Sequence, residues 1–331
     1  MKKRSSLSLR QIMLIAALVL AFGAMTLFLF TYKKDEKRFI NITSDLFTDE
    51  MSGNTLNMHY TVAHPEDFGI YDYEPRLPGY SAAGSLQGKI ATENTLASLR
   101  AIRRDRLKFS DSYLLKLLVR YLENSLHLSS FSYYSEPLSP ASGMQTQLPI
   151  LLAEYTFRSK RDIEDYLALL DQTDEYFASL LTYEQEKANA GLLMSASGLK
   201  SVRGQCDTIV TKQALSEGTH FLQTTFEERI RPLLENGKLT ESEAQKYLAA
   251  NDRLLKTVLL PAYTALGDGL LVLEDQSVSL TGLGAYPQGK EYYEALLISE
   301  TGSYRPISEI QKMLTAQFGR EYDEIKKLAR N

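Results

Sequence analysis

Side chains able to hold a metal or attack a substrate are few in this chain. There are four histidines (His59, His64, His127 and His220) and one cysteine, Cys206. A helical zinc-peptidase signature sets two histidines four residues apart on one helix face, with a glutamate after the first to activate water. None of the four histidines is followed by Glu; the next residues are Tyr60, Pro65, Leu128 and Phe221. His59 and His64 are five apart, and Pro65 disfavours helix at His64. With Glu66 and Asp67 they could form a loop site for a metal. The plainer reading is that one imidazole packs and the other is solvated. Cys206 has Arg203 and Asp207 nearby but no histidine partner, so it is expected to be a core thiol rather than a nucleophile.

The acidic pairs Glu184/Glu186 and Glu227/Glu228 are the remaining candidates for acid–base chemistry, which needs a positioned partner and a perturbed pKa. Lys187, Arg229 and Arg231 stand beside them, a pattern that suits solvated helix faces. The glycines of GLGAYPQG, Gly282 to Gly289, lack a preceding strand and a P-loop Lys-Ser/Thr, so they are loop glycines rather than a phosphate cradle. No Gly-x-Ser-x-Gly elbow is present. The polar amides of Met144-Gln-Thr-Gln147 could meet a peptide backbone, which makes Gln145 and Gln147 substrate-cleft candidates; the alternative is a polar loop that caps a helix. No catalytic residue, metal ligand or cofactor-binding residue can be assigned.

The elements that would have to position these residues are helices. Asp162 to Glu186 carries Ile163, Tyr166, Leu167, Leu170, Phe177, Leu180 and Leu181 at helical spacing, and Tyr113 to Leu126 repeats the pattern. Ser159 to Asp162 and Thr240 to Glu243 are capping boxes ahead of helices. Pro261 falls inside the second of these helices and predicts a kink or break there. Further helices are expected near 36–51, 92–107, 149–157, 199–215, 219–236, 289–299 and 306–329. Glu136 to Pro149 and Ser277 to Gly289 are turn-rich, and Phe131 to Tyr134 is the one short extended candidate. The expected fold class is all-α, with one helical domain over 39–331. A composition of 44% hydrophobic and 24% charged residues excludes a disordered or collagen-like chain, and a single cysteine excludes an internal disulfide scaffold.

Charge is unevenly spread. Residues 1–38 hold eight Lys/Arg and two acids, and the other 293 hold 29 basic and 39 acidic residues. An acidic body argues against a nucleic-acid partner, which needs clustered cations. Gln11 to Tyr32 is uncharged over 22 residues, about 33 Å as a helix, which matches the hydrocarbon thickness of a membrane. This predicts a cytoplasmic tail at 1–10, a transmembrane signal anchor at 11–32, a charged linker at 33–38 and an extracytoplasmic body. A cleaved signal peptide is the rival reading, in which case the body would be secreted.

Six blocks carry a family resemblance: Thr55 to Ile70, Glu136 to Phe157, Asp162 to Leu170, Tyr176 to Met194, Leu260 to Leu270 and Tyr286 to Ile310. In order and spacing, over roughly residues 40–325, they resemble the N-terminal half of the bacterial family called domain of unknown function 885. The resemblance implies a mostly helical, zinc carboxypeptidase-like protein. It implies zinc only in complete members, whose His-Glu-x-x-Pro-Gly-His motif lies in a C-terminal half beyond Asn331. This chain is therefore expected to be a truncated, membrane-anchored member, not catalytic alone and without a cofactor of its own. Its partners would be the membrane and either a peptide or a C-terminal partner chain. In a complete relative, later helices would cover the apolar face of the last helix here. The alternative is a membrane-tethered binding or sensor domain without enzymatic activity.

Overall fold

The structure is a computed structural model that describes residues 33–277 and 282–329. The expected tail at 1–10 and anchor at 11–32 lie outside the described residues. Residues 33–53 are helical and form α1, so the segment read as a linker at 33–38 is helix. The following helices are α2 (Thr55–Thr61), α3 (Ala82–Arg100), α4 (Phe109–Leu128), α5 (Met144–Glu154), α6 (Lys160–Asp171), α7 (Thr173–Asn189), α8 (Ala196–Ile209), α9 (Lys212–Glu217), α10 (Phe221–Glu235), α11 (Glu241–Leu254), α12 (Leu260–Leu273), α13 (Gly289–Thr301) and α14 (Ile307–Leu328). There is no strand among the described residues, and Phe131 to Tyr134 forms turns.

Local chemistry explains the boundaries. Both capping boxes form: Ser159 with Asp162 starts α6, and Thr240 with Glu243 starts α11. The long helix expected over 162–186 is instead two, because the chain bends at Gln172. Its amide serves a neighbour: Oε1 accepts from the Leu77 N–H at 3.1 Å and Nε2 donates to the Pro75 carbonyl at 2.7 Å. Those bonds, with Tyr80 N–H to Ser179 Oγ at 3.0 Å, strap the extended segment before α3 onto α6 and α7. Helix α5 begins at Met144, inside the stretch expected to be turns, and Pro149 sits within it.

Pro261 does not break its helix. A π turn over Leu255–Leu259 joins α11 to α12, and the Leu260 N–H reaches back five residues to the Leu255 carbonyl. The wider turn is a recognised way for a helix to absorb a local misfit. The result is one helix over Glu241–Gln276, long and apolar enough by composition to cross a membrane. Here that hydropathy has a packing explanation. Leu255, Leu259, Leu266 and Leu270 are fully buried in the main core, with α7 and α8 on either side of α12. Small residues let α12 approach: Gly267 faces Cys206 of α8, and a side chain at Gly269 would collide with Leu181 of α7.

The main core gathers residues from α5 to α12, including Tyr166, Phe177, Leu180 and Phe226. A smaller cluster joins α1, α3 and α4 through Phe39, Leu99 and Leu115. A third, built on Tyr134, Leu192 and Tyr292, lies where α13 packs on α4 beside the end of α7. Helix α14 buries none of its residues and displays Leu314, Phe318 and Ile325 on its surface.

Candidate functional site

The histidines are not assembled into a site. His59 stacks on Tyr155 with ring centroids 3.6 Å apart, and its Nε2 accepts from the Thr156 N–H at 3.0 Å. Its Nδ1 then carries the proton and faces Asp162 at 3.7 Å. Burial, reinforced by Arg158, lowers its pKa to about 4. His64 is exposed and pairs with Glu66 at 3.0 Å. His220 caps α10, with Nδ1 accepting from the Leu222 N–H and Nε2 donating to the Ile209 carbonyl. His127 lies edge-on to Phe131. Among the described residues, no three His, Cys, Asp or Glu side chains come together to hold a metal ion. Cys206 is buried, and burial pushes its thiol up to about 12, as suits an inert core residue.

Neither Gln145 nor Gln147 lines the tyrosine pocket described below. Gln145 is fully buried; its Nε2 donates to the Ser139 carbonyl at 2.6 Å and to Gln205 Oε1 at 2.8 Å. Its own carbonyl accepts from the Tyr263 hydroxyl at 2.5 Å. It thus ties the loop after Glu136 to α8 and α12 from within α5, rather than capping a helix from a polar loop. Gly143 permits this closeness, since a Cβ there would strike Gln145 and the Ser139 backbone. Gln147 is half-buried.

The polar site lies where the sequence suggested a solvated face. Glu227 and Glu228 are indeed exposed, but Glu184 and Lys187 are fully buried. The signal was present in the register. Thr173, Phe177, Leu180, Glu184 and Lys187 fall at three- or four-residue steps along the buried face of α7. Lys187 Nζ lies 2.7 Å from Glu136 Oε2, donates to the Ser135 carbonyl at 3.1 Å, and stands 3.8 Å from Glu184 Oε2. Neither Glu184 oxygen has a hydrogen-bond partner. Burial, eased by Lys187 and aggravated by Glu136, raises the Glu184 pKa to about 7. Burial also raises that of Glu136, again against the pull of Lys187.

Above this triad opens a pocket of about 400 Å³. Glu136 lines it with 36% of its side chain exposed, so the triad meets solvent there. Tyr134, Tyr286 and Tyr292 supply aromatic walls, with centroid separations of 4.9 Å for Tyr134–Tyr292 and 6.2 Å for Tyr134–Tyr286. Met194, Leu283 and Leu296 supply an apolar side. Two segments that carry these rings hold unusual backbone. Tyr133 has φ 67° and Gln288 φ 55°, the only non-glycine residues with positive φ among those described. Such conformations are costly for residues with a Cβ and tend to collect at binding sites. A larger groove of about 460 Å³ lies between α1 and α3, but its carboxylates, Asp45, Asp49 and Glu50, are exposed and unconstrained by buried partners. The tyrosine pocket combines a concave apolar wall with a buried charged group, the usual makings of a ligand site.

Three of the six sequence blocks meet at this pocket and its triad: Glu136 to Phe157 contributes Glu136, Tyr176 to Met194 contributes Glu184, Lys187 and Met194, and Tyr286 to Ile310 contributes Tyr286, Tyr292 and Leu296. Comparison with known proteins covers five of the six blocks in full and the end of the first. A solved crystal structure from Colwellia psychrerythraea, described as a "putative lipoprotein", superposes with a TM-score of 0.71 at 15% identity. The match covers 88% of this chain and 49% of that one, so this chain spans about half the length of the structure it resembles. It shows a shared helical fold. No curated protein matches the chain. The family described as "Bacterial protein of unknown function (DUF885)" matches residues 65–331, starting later than the 40 expected from the blocks. The chain belongs to that family.

Proposed function

We propose that this chain is the substrate-holding helical lobe of a membrane-tethered, metallopeptidase-like protein outside the cytoplasm, and that the tyrosine pocket receives part of a peptide. The observation that carries this reading is the pocket itself. It is a concave, aromatic-walled space over a buried Glu–Lys–Glu triad, built from blocks far apart in sequence. Tethering rests on the uncharged 22-residue run at 11–32. The described residues offer no ligand set that fits zinc, so no step of the reading passes through a metal in this chain. Its residues bind and orient. The three tyrosine rings give flat apolar contact, and Glu136 gives a charged anchor within reach of solvent. Gln145 acts indirectly by holding the loop that presents Glu136, and the half-buried Gln147 stays a candidate for contact with a peptide backbone.

The test is a titration of fluorescently labelled short peptides against the full-length chain in an uncharged detergent. Tyr292→Ala should weaken binding by about tenfold, on the order of the 1.4 kcal/mol that loss of one aromatic contact carries. Equal affinity in wild type and variant would remove the pocket from peptide binding.

A further inference from the structure

The proposed reading leaves open what kind of group the pocket selects, and its charge inventory answers that. Two carboxylates, Glu136 and Glu184, share one ammonium, Lys187. With both carboxylates ionised, the triad, which reaches the pocket through Glu136, lacks one positive charge. Lys187 spends its hydrogen bonds on Glu136 and the Ser135 carbonyl, leaving Glu184 at 3.8 Å, too far for one. Both Glu184 oxygens are buried and unpartnered. An uncompensated buried carboxylate is expensive and is normally met by a proton or a cation. The walls favour a cation of a particular kind. Tyr134, Tyr286 and Tyr292 line it, aromatic rings attract positive charge, and Glu136 is the carboxylate a ligand can reach. Met194, Leu283 and Leu296 offer an apolar surface for a hydrocarbon stem beside them.

We propose that the pocket binds an alkylammonium group, either a lysine side chain or the amino terminus of a peptide, with the ammonium against Glu136 and the tyrosine rings and its stem along Leu283 and Leu296. This rests on the pocket being a peptide subsite and adds the charge it selects. The bound ammonium supplies the charge that the triad lacks, through the Glu136–Lys187–Glu184 line. A proton on Glu184 supplies the same charge, so proton and ligand compete. The groups that face Glu184 are Tyr183 and Lys187 on its own helix, Glu136 from the loop after α4, and Tyr286 from the turn before α13. The tyrosines are held neutral by burial, Tyr183 with a pKa of about 12. Glu184 is thus the group whose charge changes near neutrality.

The experiment is calorimetric titration of the full-length chain in uncharged detergent with three capped or uncapped tripeptides at about pH 8. They are acetyl-Ala-Lys-Ala-amide, Ala-norleucine-Ala-amide with a free amino terminus, and acetyl-Ala-norleucine-Ala-amide. At least one of the two cationic peptides should bind tenfold or more tightly than the neutral one, and which one does identifies the source of the ammonium. For the lysine peptide, whose ammonium stays charged at both pH values, that preference should shrink at about pH 6 in wild type and should not change with pH in Glu184→Gln; for the amino-terminal peptide, about half protonated at pH 8, the affinity is first corrected to its charged fraction. Equal binding of all three peptides would overturn the charge selection while leaving the peptide pocket standing. No binding of any would remove the pocket reading itself. The wild-type series requires no variant to fold, and a preference that is the same at both pH values would overturn the role given to Glu184.

Discussion

Two buried titratable residues push the protein's stability in opposite directions with pH. His59 has its pKa lowered from 6.5 to about 4 in the fold. Between those values the unfolded chain binds the extra proton, so stability is lost as pH falls through this window. From about pH 7.5 to about pH 5 the loss from this residue is about 2 kcal/mol. Glu184 behaves the other way: its pKa is raised from 4.5 to about 7, so its carboxylate costs stability as pH rises through that range. Thermal melts of the full-length chain should therefore show His59→Asn flattening the acid side of the profile. Glu184→Gln should raise the melting temperature at about pH 8 more than at about pH 5.5. A profile on which neither variant acts would contradict the burial assigned to both. The two residues also mark what composition could and could not convey. The absence of any His-Glu pair was plain in the letters, and it already argued against a helical zinc signature. The burial of Glu184 and Lys187 was hidden because charged letters beside one another resemble a solvated face. Only their register with Phe177 and Leu180 on α7 betrays them.

At the scale of elements, the caps were legible because they are local. Thr240 and Glu243 exchange hydrogen bonds across a single turn, 2.9 Å from the Thr240 N–H to Glu243 Oε2. The bend at Gln172 was not legible, since it is settled by a partner distant in sequence; Pro261 marked an irregularity in its helix, but not that it would take the form of a π turn. Gln172 bonds to the strap at Pro75 and Leu77, and the wide turn keeps α12 in register against α7 and α8. The pocket wall shows the same dependence. Gly289 begins α13 packed so closely on the turn before it that a Cβ would collide with the Leu283 carbonyl oxygen. Its neighbour Gln288 already sits in the left-handed region. Gly289→Ala should displace Leu283 and Tyr286, cost about 1–3 kcal/mol as overpacking does, and weaken peptide binding. Denaturant titration alongside the peptide assay checks both. Full retention of stability and binding would show that the turn yields without effect.

At the scale of the molecule, the all-α class followed from helical spacing throughout and from poor strand signals. The placement of the site did not, because Glu136, Lys187 and Tyr292 meet only once α4, α7 and α13 have packed together. The apolar stripe of α14 was also foreseeable. Phe318 is 70% exposed and Leu314 64%, more apolar surface on one helix than a solvated surface helix needs. The matched Colwellia psychrerythraea structure is about twice the span covered here. The tyrosine pocket, rather than the larger groove between α1 and α3, is the proposed peptide site. Hydrogen–deuterium exchange of the full-length chain, with and without a saturating lysine-containing peptide, separates the two. The account predicts slowed exchange around Tyr134 to Glu136 and Leu283 to Leu296. Protection confined to the α1–α3 groove around Asp49 and Thr95, or none anywhere, would contradict it.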